Sequence, residues 1–295
     1  MGRFKIQAPA KINLSLDILS KRDDGYHNIE SIMHPINLCD IITIEEIEED
    51  LIISCNNESI PIGHENTVYK AAEIILRETG LKRGLHINIE NNIPIGAGLG
   101  GGSADAAATI LGINELFSLG LTIEEMSKLG SWVGSDVPFC VMRRTALVRG
   151  KGEEVIPIEA SIDPWFVLII PDFSIYTKDA YKAFDEIKIM DKRLPKVDEM
   201  LKVISCGDCK GLCKELYNVM EIPVFQRFPV LKEIKERLIA KGALGALMSG
   251  SGSTIFGIAE SEKAAKDIAD KAKASFVSLP IKDVITVSTF NYKAL

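Results

Sequence analysis

Along its first stretch the chain alternates strictly. Ile12, Leu14, Leu16 and Ile18 are apolar while Lys11, Asn13, Ser15 and Asp17 fall between them, the period of a strand with one buried face. Lys11 and Asn13 therefore share its polar face. Asp24-Gly25 predicts a turn, and Ile41 to Ile47 and Leu51 to Cys55 predict further strands. Val68, Ala71, Ala72, Ile75 and Leu76 recur at helical spacing between a polar start at Asn66 and a stop at Gly80. Leu85 to Glu90 alternates again as a strand, and the Ala-rich segment Ala104 to Phe117 predicts a helix. Thr122-x-x-Glu125 is a capping box opening another helix, with Met126, Leu129, Trp132 and Val133 on one side and an end near Gly134. Ser135 to Pro138 then form a tight connection into a predicted strand, Phe139 to Met142.

A charged stretch with two glycines, Arg149 to Glu154, precedes the strand Phe166 to Ile170 and sets the expected division into domains 1–155 and 156–295. Beyond it the pattern predicts a helix Val230 to Lys241 closed by Gly242, a strand Ala246 to Ser249, and a turn Gly250-Ser251-Gly252-Ser253. A strand Thr254 to Ala259, a helix Glu262 to Ala274 and a strand Val284 to Phe290 complete the series. Helix, paired strands, helix, strand is the order of a split βαβ sandwich.

Composition agrees with a folded protein of more than one domain: 295 residues, 46% hydrophobic and 25% charged. With 34 Lys and Arg against 41 Asp and Glu, the net charge of −7 gives no long-range attraction for nucleic acid or anionic lipid. Any phosphate bound here is held locally. The apolar run Trp165 to Ile170 is far shorter than the roughly 20 residues of a membrane span, and the opening MGRFKIQAPAK lacks an apolar signal core. A cytoplasmic protein is expected. Cys206, Cys209 and Cys213 cluster, but His27, His34, His64 and His86 all lie far off in sequence, so the reading is a helix turn carrying reduced thiols, with no metal site.

Five of the seven residues Gly96 to Gly102 are glycine, and a strong helix follows. Glycine permits positive φ and lets a ligand approach bare N–H groups, while the helix N-terminus adds unpaired donors and a favourable dipole. Together they form an anion cradle, and phosphate is the anion such a nest most often holds. The P-loop pattern G-x-x-x-x-G-K-S/T is absent, because Ser103 follows glycines and no lysine. The protein-kinase motifs HRD and DFG are absent too. Gly96-x-Gly98-x-x-Gly101 satisfies the dinucleotide fingerprint, but Pro94 interrupts the approach, and another helix begins at Thr122 where an acid-ended strand is required.

PIGAGLGGGSADAAA from Pro94 to Ala108, PAKINL from Pro9 to Leu14, GSDVPF from Gly134 to Phe139 and MSGSGST from Met248 to Thr254 resemble the small-molecule kinases grouped with galactokinase, homoserine kinase and mevalonate kinase. Asp24-Gly25-Tyr26-His27 and Arg149-Gly150-Lys151-Gly152 resemble the branch of that superfamily acting on a cytidine diphosphate-linked methylerythritol. The resemblance implies a two-domain α/β (α+β) protein, with an N-terminal domain like ribosomal protein S5 domain 2, a C-terminal ferredoxin-like domain and a site between them. It implies ATP as phosphoryl donor, accompanied by Mg2+, and the 2-hydroxyl of the acceptor as nucleophile in isoprenoid precursor synthesis.

By motif, Pro94, Ile95, Gly96, Ala97, Gly98, Leu99, Gly100, Gly101, Gly102, Ser103 and Ala104 would hold the ATP phosphates and Asn66 would border the adenine. Asp136 and Lys11 would be catalytic, Asp136 as the base on the alcohol and Lys11 as its cationic partner. Asn13, Tyr26, His27 and Tyr181 would contact the cytidine end, the two tyrosines stacking on the base, and Gly250, Ser251 and Gly252 would approach the acceptor's phosphates. Met33 and Asn91 depart from the pattern, which has an aromatic residue at the first and a basic one at the second. The expected partner is the small-molecule substrate, with no nucleic acid or membrane, and the chain is a monomer or homodimer. Other readings stay open: a kinase of another alcohol such as homoserine or mevalonate, a nicotinamide dehydrogenase, and a nucleotide-sensing module without turnover.

Overall fold

In the computed structural model, which describes residues 2–187 and 196–291, the strand predicted at Ile12 to Ile18 is part of β1 (Arg3–Lys21). The Asp24-Gly25 turn reverses it into β2 (His27–Ile47), which starts well before the predicted Ile41. The hairpin slips register between Pro9 and Lys11, between Asn13 and Ser15 and between Ile18 and Ser20. Such bulges re-aim side chains next to functional sites. β3 (Leu51–Cys55), α1 (Thr67–Thr79) and β4 (Gly84–Glu90) follow as read. The Asn66 side chain caps α1 by accepting from the Val68 amide, and Gly80 closes it in the left-handed region.

α2 (Gly101–Leu116) is buried almost throughout, so its alanines do more than favour helix. They let it sit in contact with both the sheet and α1, and a Cβ at Gly112 would stand 2.6 Å from Ile44. α3 (Ile123–Ser131) opens with the Thr122/Glu125 capping box. Trp132 follows its last turn and is 50% exposed, outside the buried stripe it was assigned to. The segment read as a strand at Phe139 to Met142 is a helix, α4 (Val137–Met142). A short, fully buried run has no polar face to reveal its period, and Pro138 in the first turn favours a helix start.

β5 (Ala146–Arg149) and β6 (Glu154–Pro157) form a hairpin on β2 and complete one side of a seven-stranded sheet of order β3-β4-β2-β1, with β5 and β6 branching from β2. Next come β7 (Trp165–Pro171), α5 (Thr177–Glu186), α6 (Val197–Cys206) and α7 (Cys209–Glu215). β8 (Tyr217–Asn218) then returns to the first sheet, pairing in parallel with β1 at Ser15 and Leu16.

After α8 (Glu221–Arg227) the chain builds α9 (Pro229–Ala240), β9 (Gly245–Met248), β10 (Ile255–Ala259), α10 (Glu262–Ser275) and β11 (Ile281–Ser288). The second sheet is antiparallel in the order β11-β7-β10-β9, the ferredoxin-like arrangement the pattern predicted.

The two halves are joined broadly. Ile36 bridges to Thr289, and buried His34 hydrogen-bonds Thr145 on one side and Thr289 on the other. This packing corrects the half-buried reading of β1, since Lys11, Asn13, Ser15 and Asp17 are all buried, none above 5% exposed. A second layer covers the face that alternation alone leaves to water.

Candidate active site

Asp40, buried on β2, accepts the backbone N–H of Asn92 and of Ile93 (2.7 Å) and anchors the chain just before Pro94. From there Gly96, Gly98 and Gly100 take positive φ of 65°, 75° and 73°, while Ala97 and Leu99 between them are buried. Glycine is required at Gly98, where a Cβ would stand 2.3 Å from the Ser249 carbonyl oxygen. α2 starts directly from Gly100 with no side-chain cap and no acidic residue in its first turn, which leaves its amide end to a ligand. Thr67, at the start of α1, donates to the Gly102 carbonyl at 2.7 Å and ties this end of the loop down.

Lys11 leaves the β1 ladder at its bulge and donates its backbone N–H to the Leu99 carbonyl at 2.9 Å. Its side chain runs under Gly100 to place Nζ 3.5 Å from Asp136 Oδ2 and 2.8 Å from Asn13 Oδ1. Asn13 in turn donates to Ser31 Oγ. Asp136 stands at the N-cap of α4, yet its side chain makes no capping bond and turns to Lys11 instead. Lys11 is only 5% exposed, so each charge relies on the other to offset lost solvation. Burial, reinforced by the charge of Asp136, pushes the Tyr181 phenol and the Cys140 thiol well above their ordinary ranges, so both stay neutral.

Lys11, Asn13, Asp136 and Tyr181 line one cavity of about 480 Å³. Its walls hold the loop from Pro94 to Ser103, Asn66 and Thr67 at the start of α1, Lys11, Asn13 and Met33 from the hairpin, Asp136, and from the second half Thr177, Tyr181, Gly250 and Ser251. Other assigned residues lie off the wall. Ala104 is buried inside α2, and Gly252 backs onto Met248 and Ile175. Tyr26 is 53% exposed with the Lys151 ammonium 5.1 Å above its ring. The His27 ring stands 5.0 Å from that of Tyr181, and its Nε2 is held by Asp185 at 2.8 Å. The Asn66 side chain is spent on the backbone, accepting from Val68 and donating to Pro61.

Asp105 and Thr177, like Asp40 and Thr67, line the cavity without having been candidates from the sequence. Asp105 faces Asp40 beneath the loop, and its Oδ1 is buried without a hydrogen-bond partner. Burial first, then the charge of Asp40, holds its carboxyl well above the usual carboxylate range. The available signal was an acid embedded in an apolar or Ala-rich run. Thr177, at the start of α5, shares a 3.1 Å hydroxyl bond with Ser251. Cys206, Cys209 and Cys213 lie on α6 and α7, away from these walls, and burial pushes the Cys213 thiol up to about 12.

A left-handed glycine loop feeding an uncapped helix, opposite a Lys–Asp pair and above a ferredoxin-like half, defines the GHMP kinase class. Residues 66–144 match the GHMP kinases N terminal domain and residues 195–278 the GHMP kinases C terminal domain. A 4-diphosphocytidyl-2-C-methyl-D-erythritol kinase of Caldicellulosiruptor bescii is 41% identical over 97% of this chain and 98% of its own. That of Bacillus mycoides is 44% identical over 87% of this chain and 88% of its own. A crystal structure of 4-(cytidine 5'-diphospho)-2C-methyl-D-erythritol kinase, 33% identical, superposes with a TM-score of 0.80 over 98% of this chain and 100% of that one. Homoserine kinase from Cytophaga hutchinsonii, 20% identical with a TM-score of 0.78 over 98% of this chain and 95% of that one, shares the fold. The chain belongs to the 4-diphosphocytidyl-2-C-methyl-D-erythritol kinase family.

Proposed function

We propose that the protein transfers the γ-phosphoryl group of ATP to the 2-hydroxyl of 4-diphosphocytidyl-2-C-methyl-D-erythritol, a step in isoprenoid precursor synthesis. One observation carries the chemistry: the Lys11–Asp136 pair, at 3.5 Å, opens onto the same cavity as the glycine loop. Phosphoryl transfer needs alignment and charge placement more than covalent help. The tertiary alcohol is a crowded nucleophile, and Asp136 takes its proton as the new O–P bond forms and the bond to the ADP oxygen breaks. Lys11, 3.5 Å from it, orients the Asp136 carboxylate and offsets negative charge gathering on the transferred oxygens.

In this reading the segment 1–155 supplies the loop, the base and its lysine, and 156–295 supplies Thr177, Tyr181 and the Gly250–Ser251 turn. Residues Pro94 to Ala104 hold the triphosphate, with Asn66 bordering the adenine. Tyr181 is the stacking face for cytosine from inside the cavity, with Tyr26 at its mouth and Asn13 and the His27 backbone at the base edge. Gly252 shapes the turn from behind. Magnesium is proposed as the companion of the nucleotide's phosphates, whose oxygens need a counter-charge, with no ligand assigned among the protein's side chains. No helix among the described residues is long and apolar enough to cross a membrane, and with a net charge of −7 we read the protein as cytoplasmic, free of nucleic acid, and a monomer or homodimer.

A coupled ADP-release assay tests the proposal, with the cytidylated methylerythritol, homoserine and mevalonate as parallel acceptors. Turnover on the first alone is expected. Turnover on homoserine or mevalonate alone would reassign the acceptor, and ATP binding without turnover on any alcohol would leave a nucleotide-sensing module.

A further inference from the structure

Gly250 and Ser251 reach the cavity from the turn between β9 and β10, and the two-residue strand β8 holds the start of that turn. The Asn218 amide nitrogen donates to the Met248 carbonyl at 2.7 Å and to the Gly250 carbonyl at 2.8 Å. Its side-chain oxygen accepts from the Met220 amide at 2.9 Å, so every polar atom of this side chain, 4% exposed, is engaged. Asn218 also sits in register with Leu16 of β1, the strand that carries Lys11, and the next residue donates its N–H to the Leu16 carbonyl at 2.9 Å. The remaining peptide group of Met248, its N–H, donates to Glu221, which is itself paired with Lys235 at 2.6 Å.

Across the turn, a Cβ on Gly250 would stand 3.2 Å from Lys11 Nζ and 3.3 Å from Asn13 Oδ1. The position of this peptide therefore sets the room beside the Lys11 ammonium. Two carbonyls converging on one buried point need two N–H bonds from one small group, which a primary amide provides and a carboxylate or hydroxyl does not. The base of the turn is closed separately, by the Ser249 N–H on the Thr254 carbonyl. The base hydrogen-bonds the glycine loop, through Ser249 Oγ on Gly98 O and the Thr254 N–H on Ala97 O, and the Gly252 carbonyl packs against Gly98 beside it. Asn218 thus controls the tip of the turn while the nucleotide side has its own anchors in Asp40 and Thr67.

We propose that Asn218 is a positioning residue for the acceptor: by gathering the Met248 and Gly250 carbonyls onto one amide registered to β1, it places the Gly250–Ser251 peptide beside Lys11 where the acceptor's phosphates dock. The inference rests on the phosphoryl-transfer reading above. Asn218 touches no substrate and acts through the turn.

The test compares wild type with Asn218→Asp, which removes both donors, and Asn218→Ser, which keeps one. Steady-state kinetics on both substrates is paired with hydrogen exchange of segments 245–255 and 93–104. Asn218→Asp is expected to raise the acceptor KM about tenfold or more, as loss of buried hydrogen bonds does, and Asn218→Ser to raise it less. The ATP KM stays within about twofold of wild type because the loop keeps its anchors. Exchange accelerates in 245–255 and not in 93–104. Equal rises in both KM values, or an unchanged acceptor KM with only a lower unfolding midpoint, would overturn the proposal. If the Asp variant fails to fold, the Ser variant decides by the same criteria. If wild type itself turns over no cytidylated methylerythritol, the kinase reading fails, and the exchange contrast still decides whether Asn218 holds the turn.

Discussion

The glycine loop Gly96–Gly102 and the turn Ser249–Ser253 both offer backbone to the cavity, and they are held in contrasting ways. The loop leads into a helix buried along most of its length, and Asp40 fixes its entrance through backbone amides. The turn caps a β-hairpin with no helix behind it and depends on Asn218 for the Met248 and Gly250 carbonyls and on Glu221 for the Met248 N–H. A phosphate site made by a helix end carries its own electrostatics wherever the helix goes. One made by a hairpin tip is only as well placed as its supports.

Where the two meet, at the Lys11–Asp136 pair, the largest effect is expected. Asp136→Asn should lower kcat by about a thousandfold, the scale of a lost general base, with the dissociation constant of a fluorescent ATP analogue within about threefold of wild type. Retained turnover would show that the alcohol needs no base here.

The next effect probes the seam between loop and turn. Gly98→Ala forces a methyl onto the Ser249 and Gly252 carbonyls at 2.3 and 2.8 Å and strains a φ of 75°. It should weaken ATP binding at least about tenfold and lower the thermal midpoint. Gly100→Ala meets only the flexible Lys11 methylenes, 3.0 Å away at the nearest, and should cost clearly less on both readouts. Equal losses would mean that the seam does not matter.

On the turn's side, Tyr181→Ala should raise the acceptor KM about tenfold, the worth of a base-stacking face, and leave the ATP KM alone. Tyr26→Ala, off the cavity wall, should do less; the reverse order would move the cytosine to the mouth of the cavity.

The smallest effect belongs to the loop's side. The folded-state pKa of Asp105 is raised above its unfolded value near 3.8, so the favourable state is the protonated one, and stability is lost as pH rises through the folded pKa. Asp105→Asn cannot ionise. Its urea midpoint should fall less than that of wild type as pH rises above about 4, the unfolded value, and parallel curves would show that Asp105 does not titrate in the folded protein.

How far the site could be read from the chain follows the same contrast. Helix α1 with its Asn66 cap, the Thr122/Glu125 box and the glycine loop entering α2 are local features, with their causes lying within a few residues. The series of α9, β9, β10, α10 and β11 along the chain was legible because these helices and strands keep clean periods, whereas α5 to α8 were not read from the sequence. The α4 helix was not, because Val137 to Val141 are all buried and show no polar face. The pairing of Lys11 with Asp136 followed from the need of a buried charge for a partner, together with the family motifs. Asp40, Asp105, Thr177 and Asn218 gain their roles only through long-range contacts, as when Asn218 meets Met248 and Gly250. Nothing within a few residues of Asn218 marks it as the support of a turn some thirty positions later.

The lateness of β8 has a consequence for the newborn chain. Strand β1 emerges from the ribosome long before Tyr217 and Asn218, the partner for its Ser15–Leu16 edge, are made. At usual elongation speeds that edge waits on the order of ten seconds or more with its backbone groups unclaimed. Edge groups in that state are a template for pairing with another nascent chain.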